Sequence, residues 1–169
     1  MNSRSSDSKS DVISTRPQDL YFIMTLQKNK ICNLNRISPP YLVLIDTNFI
    51  YFTLKNKIDL FEGLLDCLCS LYVPVVTRCV ILELEKLGIK FRLALKCIKN
   101  DKIIKIECNH PPNIIYADDC IYNTAKNNKC FMVATCDKDL KRRIRNNLKT
   151  FLITIKKKKF MIENGNQIN

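Results

Sequence analysis

The chain has 169 residues, 46% of them hydrophobic, and a formal net charge of +12. That is enough apolar material for one folded domain, and no apolar run approaches the roughly 18 residues of a membrane span. Only three glycines occur, and neither the G-x-G-x-x-G nor the P-loop pattern can be found, so a glycine-rich phosphate loop is excluded.

Residues 1–20 are Ser- and Asp-rich and residues 21–40 end in "ISPP"; residues 1–38 are expected to form a flexible lead-in. The first 20 residues hold no apolar h-region, so no secretory signal is expected. The nine cysteines then read as thiols of a reducing compartment, not as a disulfide framework. Residues 39–155 are expected to be the folded unit and 156–169 a basic tail.

From Tyr41 onward strand and helix signals alternate. "YLVLI" (41–45) predicts a buried strand. "DLFEGLLDCLCSLY" (59–72) carries Leu60, Leu64, Leu65 and Leu68 at helical spacing. A strand at 73–77 precedes a helix at 78–88 that Gly88 can end, and a further helix at 90–100. A strand at 102–107, a helix at 116–128, a strand at 130–136, a helix at 137–147 and a strand at 151–155 complete the pattern. This alternation predicts an α/β sandwich of three layers with a mostly parallel central sheet.

In such a sheet ligands bind beyond the carboxyl ends of the strands. Asp46 and Asp137 stand at two of those ends. Taken alone, an Asp there is as readily a helix cap. Helical phase adds two more acids. Glu83 falls in the inner stripe of Val80, Leu84 and Leu87, whereas Glu85 falls outside it. Asp118 shares a face with Ile121, Tyr122 and Ala125, whereas Asp119 shares one with Asn123 and Lys126. Asp139 is expected to pair with Arg142 and Arg143. Four carboxylates converging on one place repel one another unless a cation compensates them. Hard oxygen ligands suit Mg²⁺ or Mn²⁺, and such clusters hold two ions roughly 4 Å apart in phosphodiester-cleaving enzymes.

From Lys141 to Lys159 the chain has nine basic residues and no acidic one. A polyanion is the natural partner, and nucleic acid is preferred to lipid. Lys141, Arg142, Arg143 and Arg145, with Lys156, Lys157, Lys158 and Lys159, are expected to hold an RNA backbone. Such contacts position a strand without reading its sequence.

"LIDTNFI", "ILELEKLG", "YADDC" and "VATCDKDLKRRIR" in this order resemble the PIN nuclease family. "PPYLVLIDTNFI", "EKLGIKFRLALK" and "YADDC" followed by "DLKRRIR" are more specific still, and resemble its pre-rRNA-processing members of the small-subunit processome over about residues 39–147. The resemblance implies an acidic site at Asp46, Glu83, Asp118 and Asp137, with polar support from Thr47, Asn48 and Thr135. It implies metal-dependent cleavage of precursor rRNA during small-subunit maturation. It also implies small nucleolar RNA and processome proteins as partners, a nuclear and nucleolar location, and no membrane or small-molecule substrate. The sequence before residue 39 and after "FLITI" is shorter than such proteins usually carry.

Cys108, His110 and Cys120 have spacing suited to zinc. A fourth ligand is not evident: Cys130 lies a helix-length from Cys120, and Cys97 is the other candidate. Small packed thiols beside a loop histidine are therefore the preferred reading, with Cys67, Cys69, Cys79 and Cys136 as core filler. Two rivals to the nuclease remain. A PIN-fold RNA-binding scaffold gains nothing from four carboxylates facing phosphate. A haloacid-dehalogenase-type phosphatase wants a second Asp two residues after the first, where this chain has Asn48.

Overall fold

The computed structural model describes residues 39–108, 110 and 116–163. The lead-in at 1–38 and the last six residues of the expected tail lie outside the described residues.

Strand β1 (Tyr41–Ile45) is the centre of the molecule. Leu42, Val43, Leu44 and Ile45 are all buried, so side chains on both faces of the strand are covered. β2 (Tyr72–Thr77) and β4 (Phe131–Ala134) repeat that pattern. Continuous rather than alternating burial is what a parallel sheet between two helical layers requires. The six strands run in the order β3-β2-β1-β4-β5-β6. β3 is Ile104–Ile106, β5 Leu152–Lys156 and β6 Lys159–Glu163. All neighbours are parallel except β5 and β6. The chain leaves β1 toward β2 and β3 on one side and returns to β4 and β5 on the other. The carboxyl ends of β1 and β4 therefore meet at a topological switch point.

Among the described residues six α-helices accompany the sheet: α1 (Thr47–Lys55), α2 (Leu60–Leu68), α3 (Arg78–Lys86), α4 (Arg92–Ile98), α5 (Ala117–Asn127) and α6 (Lys138–Asn147). The expected helix at 90–100 is a 3₁₀ turn, Gly88–Phe91, followed by the shorter α4. Gly88 has φ of 72°, the left-handed value glycine adopts without steric cost.

Two elements lie where the sequence pattern predicted none. α1 begins immediately after Asp46, in a stretch whose Thr, Phe, Ile and Tyr residues favour strand locally. Burying Phe49, Ile50 and Thr53 on one face makes it helical. β6 lies within the expected tail: Leu152 to Lys156 pair with Glu163 to Lys159 in an antiparallel hairpin, and Lys157 and Lys158 turn it with φ of 48° and 59°. The folded unit therefore extends to Glu163, not 155. Phe160 seats β6 in the core, 4.7 Å from Phe49 and against the α-carbon of Gly63 on α2.

Candidate metal and nucleic-acid site

Asp46 occupies the N-cap position of α1, yet its side chain makes no cap hydrogen bond. It is fully buried. Oδ2 accepts the hydroxyl of Thr135 at 2.8 Å, and Oδ1 has no hydrogen-bond partner among the described residues. An orphaned carboxylate oxygen in the interior is costly, and it marks the place where a cation would fit. Burial is the main cause pushing the Asp46 carboxyl from 3.8 up to about 7; Thr135 opposes it, and Asp118 and Glu83 add repulsion.

The other acids converge from three helices. Glu83 of α3 is half-buried and accepts the hydroxyl of Thr47. Glu85, two residues on, is exposed, as helical phase predicts. Asp118 in the first turn of α5 is held above the ordinary carboxylate range, first by burial and then by Asp137 and Glu83, with Arg143 opposing. Asp137 caps α6, accepting from Leu140 N at 2.7 Å, while its own N–H donates to Thr135 Oγ1 at 3.0 Å. The cap reading thus holds for Asp137 and fails for Asp46. Mutual repulsion links all four acids into one electrostatic unit. The hard-oxygen set suits Mg²⁺ or Mn²⁺ at this place.

Thr135 links the two strand ends, donating to Asp46 and accepting from Asp137. Asn48 stands half-buried in the first turn of α1.

A second cluster lies beside α3. The ligand atoms of Cys79, Cys108, His110 and Cys120 are all within 4.8 Å of one another. Cys79 Sγ is 3.2 Å from His110 Nε2 and 3.5 Å from Cys108 Sγ, which is 3.4 Å from Cys120 Sγ. A tetrahedron with zinc–sulfur bonds of about 2.3 Å has edges of roughly 3.8 Å. The donor set and spacing fit zinc. Cys79, expected as core filler, supplies the fourth position, and neither Cys97 nor Cys130 belongs to the cluster. The missed signal was register. Thr77 pairs with Ile106, so Cys79 and Cys108 each stand two residues beyond adjacent strand ends.

The basic residues are more committed than the sequence suggests. Arg142 pairs with Asp139 at 3.1 Å, as expected. Arg143 turns instead to Asp119 at 2.7 Å, its guanidinium 4.8 Å from the Tyr122 ring centroid. Lys141 reaches Thr154 Oγ1 at 3.3 Å. Arg145 and Lys156 both pair with Glu163, whose carboxyl they and Lys141 hold below its ordinary range against the opposing effect of burial. Lys157, Lys158 and Lys159 are exposed on the hairpin. Lys158 and Lys159 share a cavity of about 390 Å³ with Asp59, the N-cap of α2, and with Glu62 and Asp66 of that helix.

Comparison with known proteins gives the family and the fold. The Fcf1 family model matches residues 66–164, more than half of the chain. The chain belongs to the Fcf1 family. It is 51% identical over 109 residues to the rRNA-processing protein fcf1 of Schizosaccharomyces pombe, covering 64% of this chain and 56% of that protein. To the rRNA-processing protein FCF1 of Saccharomyces cerevisiae it is 49% identical over 109 residues, 64% and 57% of the two chains. It thus spans a little over half the length of these Fcf1 relatives. Ribonuclease VapC4 of Methanocaldococcus jannaschii is 32% identical over 132 residues, 72% of this chain and 96% of that one. The solved PIN domain endonuclease Utp24 superposes with a TM-score of 0.72 at 45% identity, covering 76% of this chain and 96% of that chain. The fold of this Fcf1-family chain is therefore the PIN domain.

Proposed function

We propose that this Fcf1-family chain is a divalent-metal-dependent endoribonuclease that cleaves precursor rRNA during small-subunit maturation. The partners in this reading are small nucleolar RNA and proteins of the small-subunit processome, in the nucleus and nucleolus. The carrying observation is the buried, unpartnered Oδ1 of Asp46 at the switch point, with Glu83, Asp118 and Asp137 around it. The names of the Fcf1 relatives and the Utp24 endonuclease support the same reading.

Mg²⁺ or Mn²⁺ bound by Asp46, Glu83, Asp118 and Asp137 would supply charge stabilisation at a phosphodiester and an activated water. The chain's own contribution is positioning. Thr135 orients Asp46 and the start of α6, and Thr47 orients Glu83. Neutralising the acids with cations removes their repulsion of phosphate, and Lys141 and Arg142 on α6 extend the site along the RNA backbone. Zn²⁺ held by Cys79, Cys108, His110 and Cys120 would have a structural role, tying α3 and α5 to the segment after β3.

The test is Mn²⁺-dependent cleavage of an RNA spanning a small-subunit rRNA boundary, comparing the native chain with Asp118→Asn. Loss of cleavage with RNA affinity retained supports the nuclease. Binding without cleavage by the native chain, in isolation and when added back to assembled particles, leaves the scaffold instead. Metal analysis checks the second ion: one zinc per chain is expected, absent in Cys79→Ser.

A further inference from the structure

The segment "EKLGIKFRLALK" is a marked feature of this sequence, but apart from orienting α3 it plays no part in the acidic site. Its side chains are unusual for a surface. Ile89 is 92% exposed and Leu93 70% exposed, with Leu82 and Leu87 also exposed nearby. Isolated exposed aliphatics are ordinary, but Ile89 and Leu93 stand together on one concave patch, as on an interaction surface. Ile89, Arg92, Leu93, Leu95, Lys96 and Lys99 line a groove of about 650 Å³.

The groove is held rigidly from below. Phe91 packs on Tyr51 with ring centroids 4.9 Å apart, and Ala94 and Ile98 are buried in the core. Gly88 turns the chain so that Ile89 points outward. The aliphatics are thus presented by an anchored element. From Lys86 to Lys99 the chain has five basic residues and no acidic one.

We propose that this groove docks an acidic amphipathic helix of a partner protein. Its lining joins Ile89 of the 3₁₀ turn to Arg92, Leu93, Leu95 and Lys96 of α4, a helix about 10 Å long, and to Lys99 just beyond it. A helix laid along it buries its own apolar positions on Ile89 and Leu93 and sets carboxylates against Arg92, Lys96 and Lys99. RNA fits less well, because the lining has no aromatic ring to stack a base and its centre is aliphatic. The proposal does not depend on the acids acting in cleavage.

The test uses the full-length protein and a fluorescein-labelled helical peptide of roughly four turns, with Leu on one face and Glu on both flanks. Fluorescence anisotropy is expected to show saturable binding that weakens about tenfold or more in Leu93→Asp and in Arg92→Glu. A control peptide with Ser in place of Leu is expected not to bind. Both substituted side chains are exposed, so circular dichroism should be unchanged. The proposal is overturned if the peptide does not bind, or if Leu93→Asp leaves its affinity unaltered. Displacement by polyuridine that is insensitive to Leu93→Asp would assign the groove to RNA. Self-association abolished by Leu93→Asp in sedimentation velocity would assign it to a second copy. Tighter binding of a peptide of residues 21–34 than of the acidic probe would assign it to the chain's own lead-in.

Discussion

At the scale of single residues, Asp46 decides how the protein responds to pH. Its carboxyl rises from 3.8 to about 7, chiefly because the charged form is buried. Below about pH 4 the group is protonated in folded and unfolded states alike, and burial costs little. Between about pH 4 and 7 the unfolded chain ionises while the folded one resists, so stability falls; above about pH 7 the loss is complete. The difference corresponds to roughly 4 kcal/mol. The melting temperature of the metal-free protein is therefore expected to drop between about pH 4 and 7, and Mn²⁺ to restore it. Asp46→Asn should remove both effects, as read by differential scanning calorimetry. A melting temperature flat in pH for the native chain would contradict the assignment.

Thr135 offers a second test at the same scale. Its hydroxyl donates to Asp46 and accepts from the Asp137 N–H, with the side chain wholly buried. Thr135→Val keeps the volume and leaves two buried polar groups unpaired, at about 1–3 kcal/mol each. Urea unfolding should show a loss of about 2–4 kcal/mol and, in the pH series, an Asp46 transition displaced upward.

At the scale of elements, the hairpin β5–β6 is the part that a charge-based reading mistakes for a tail. Four successive lysines, 156–159, imply a solvated run, and they are indeed exposed. The hairpin forms because Phe160 reaches the core beside Phe49, and because Glu163 closes on Arg145 and Lys156. Gly63 makes room for it: a methyl group there would meet Phe160 at 2.8 Å. Gly63→Ala is expected to gain helix propensity yet destabilise the protein by about 1–3 kcal/mol through overpacking. Adding Phe160→Leu should recover part of that loss, and a double-mutant cycle by urea unfolding measures the coupling. Additive effects would show that β6 does not pack on α2 as described.

At the scale of the whole molecule, the charge of +12 overstates what is free to meet a polyanion. Glu163 draws on Lys141, Arg145 and Lys156 together, and Arg143 is shared between Asp119 and Tyr122. Exposed pairs such as Arg142 with Asp139 exchange readily for phosphate, because a surface ion pair contributes little. Glu163→Gln should release cations toward RNA. Single-stranded RNA affinity is expected to rise, and the slope of its logarithm against that of salt concentration to steepen by about 1, as fluorescence titration at several salt concentrations would show. An unchanged slope would mean that these three basic residues do not face the RNA.

The sequence by itself determined the alternating α/β pattern, the parallel sheet and the inward phase of Glu83, because periodic burial is written locally in apolar spacing. It also singled out Asp46 and Asp137, since a carboxylate ending an apolar strand is visible without coordinates. Tertiary structure decided what spacing cannot encode. The helical state of Thr47–Lys55 opposes its local propensity and follows from burying Phe49 and Ile50. Cys79 meets Cys108 and Cys120 only because β2 and β3 lie side by side in one register. The difference between Asp46 and Asp137 has the same origin. Both follow strands, but only across the β1–β4 junction does Thr135 turn to Asp46 and leave its second oxygen without a partner, while Asp137 caps a helix.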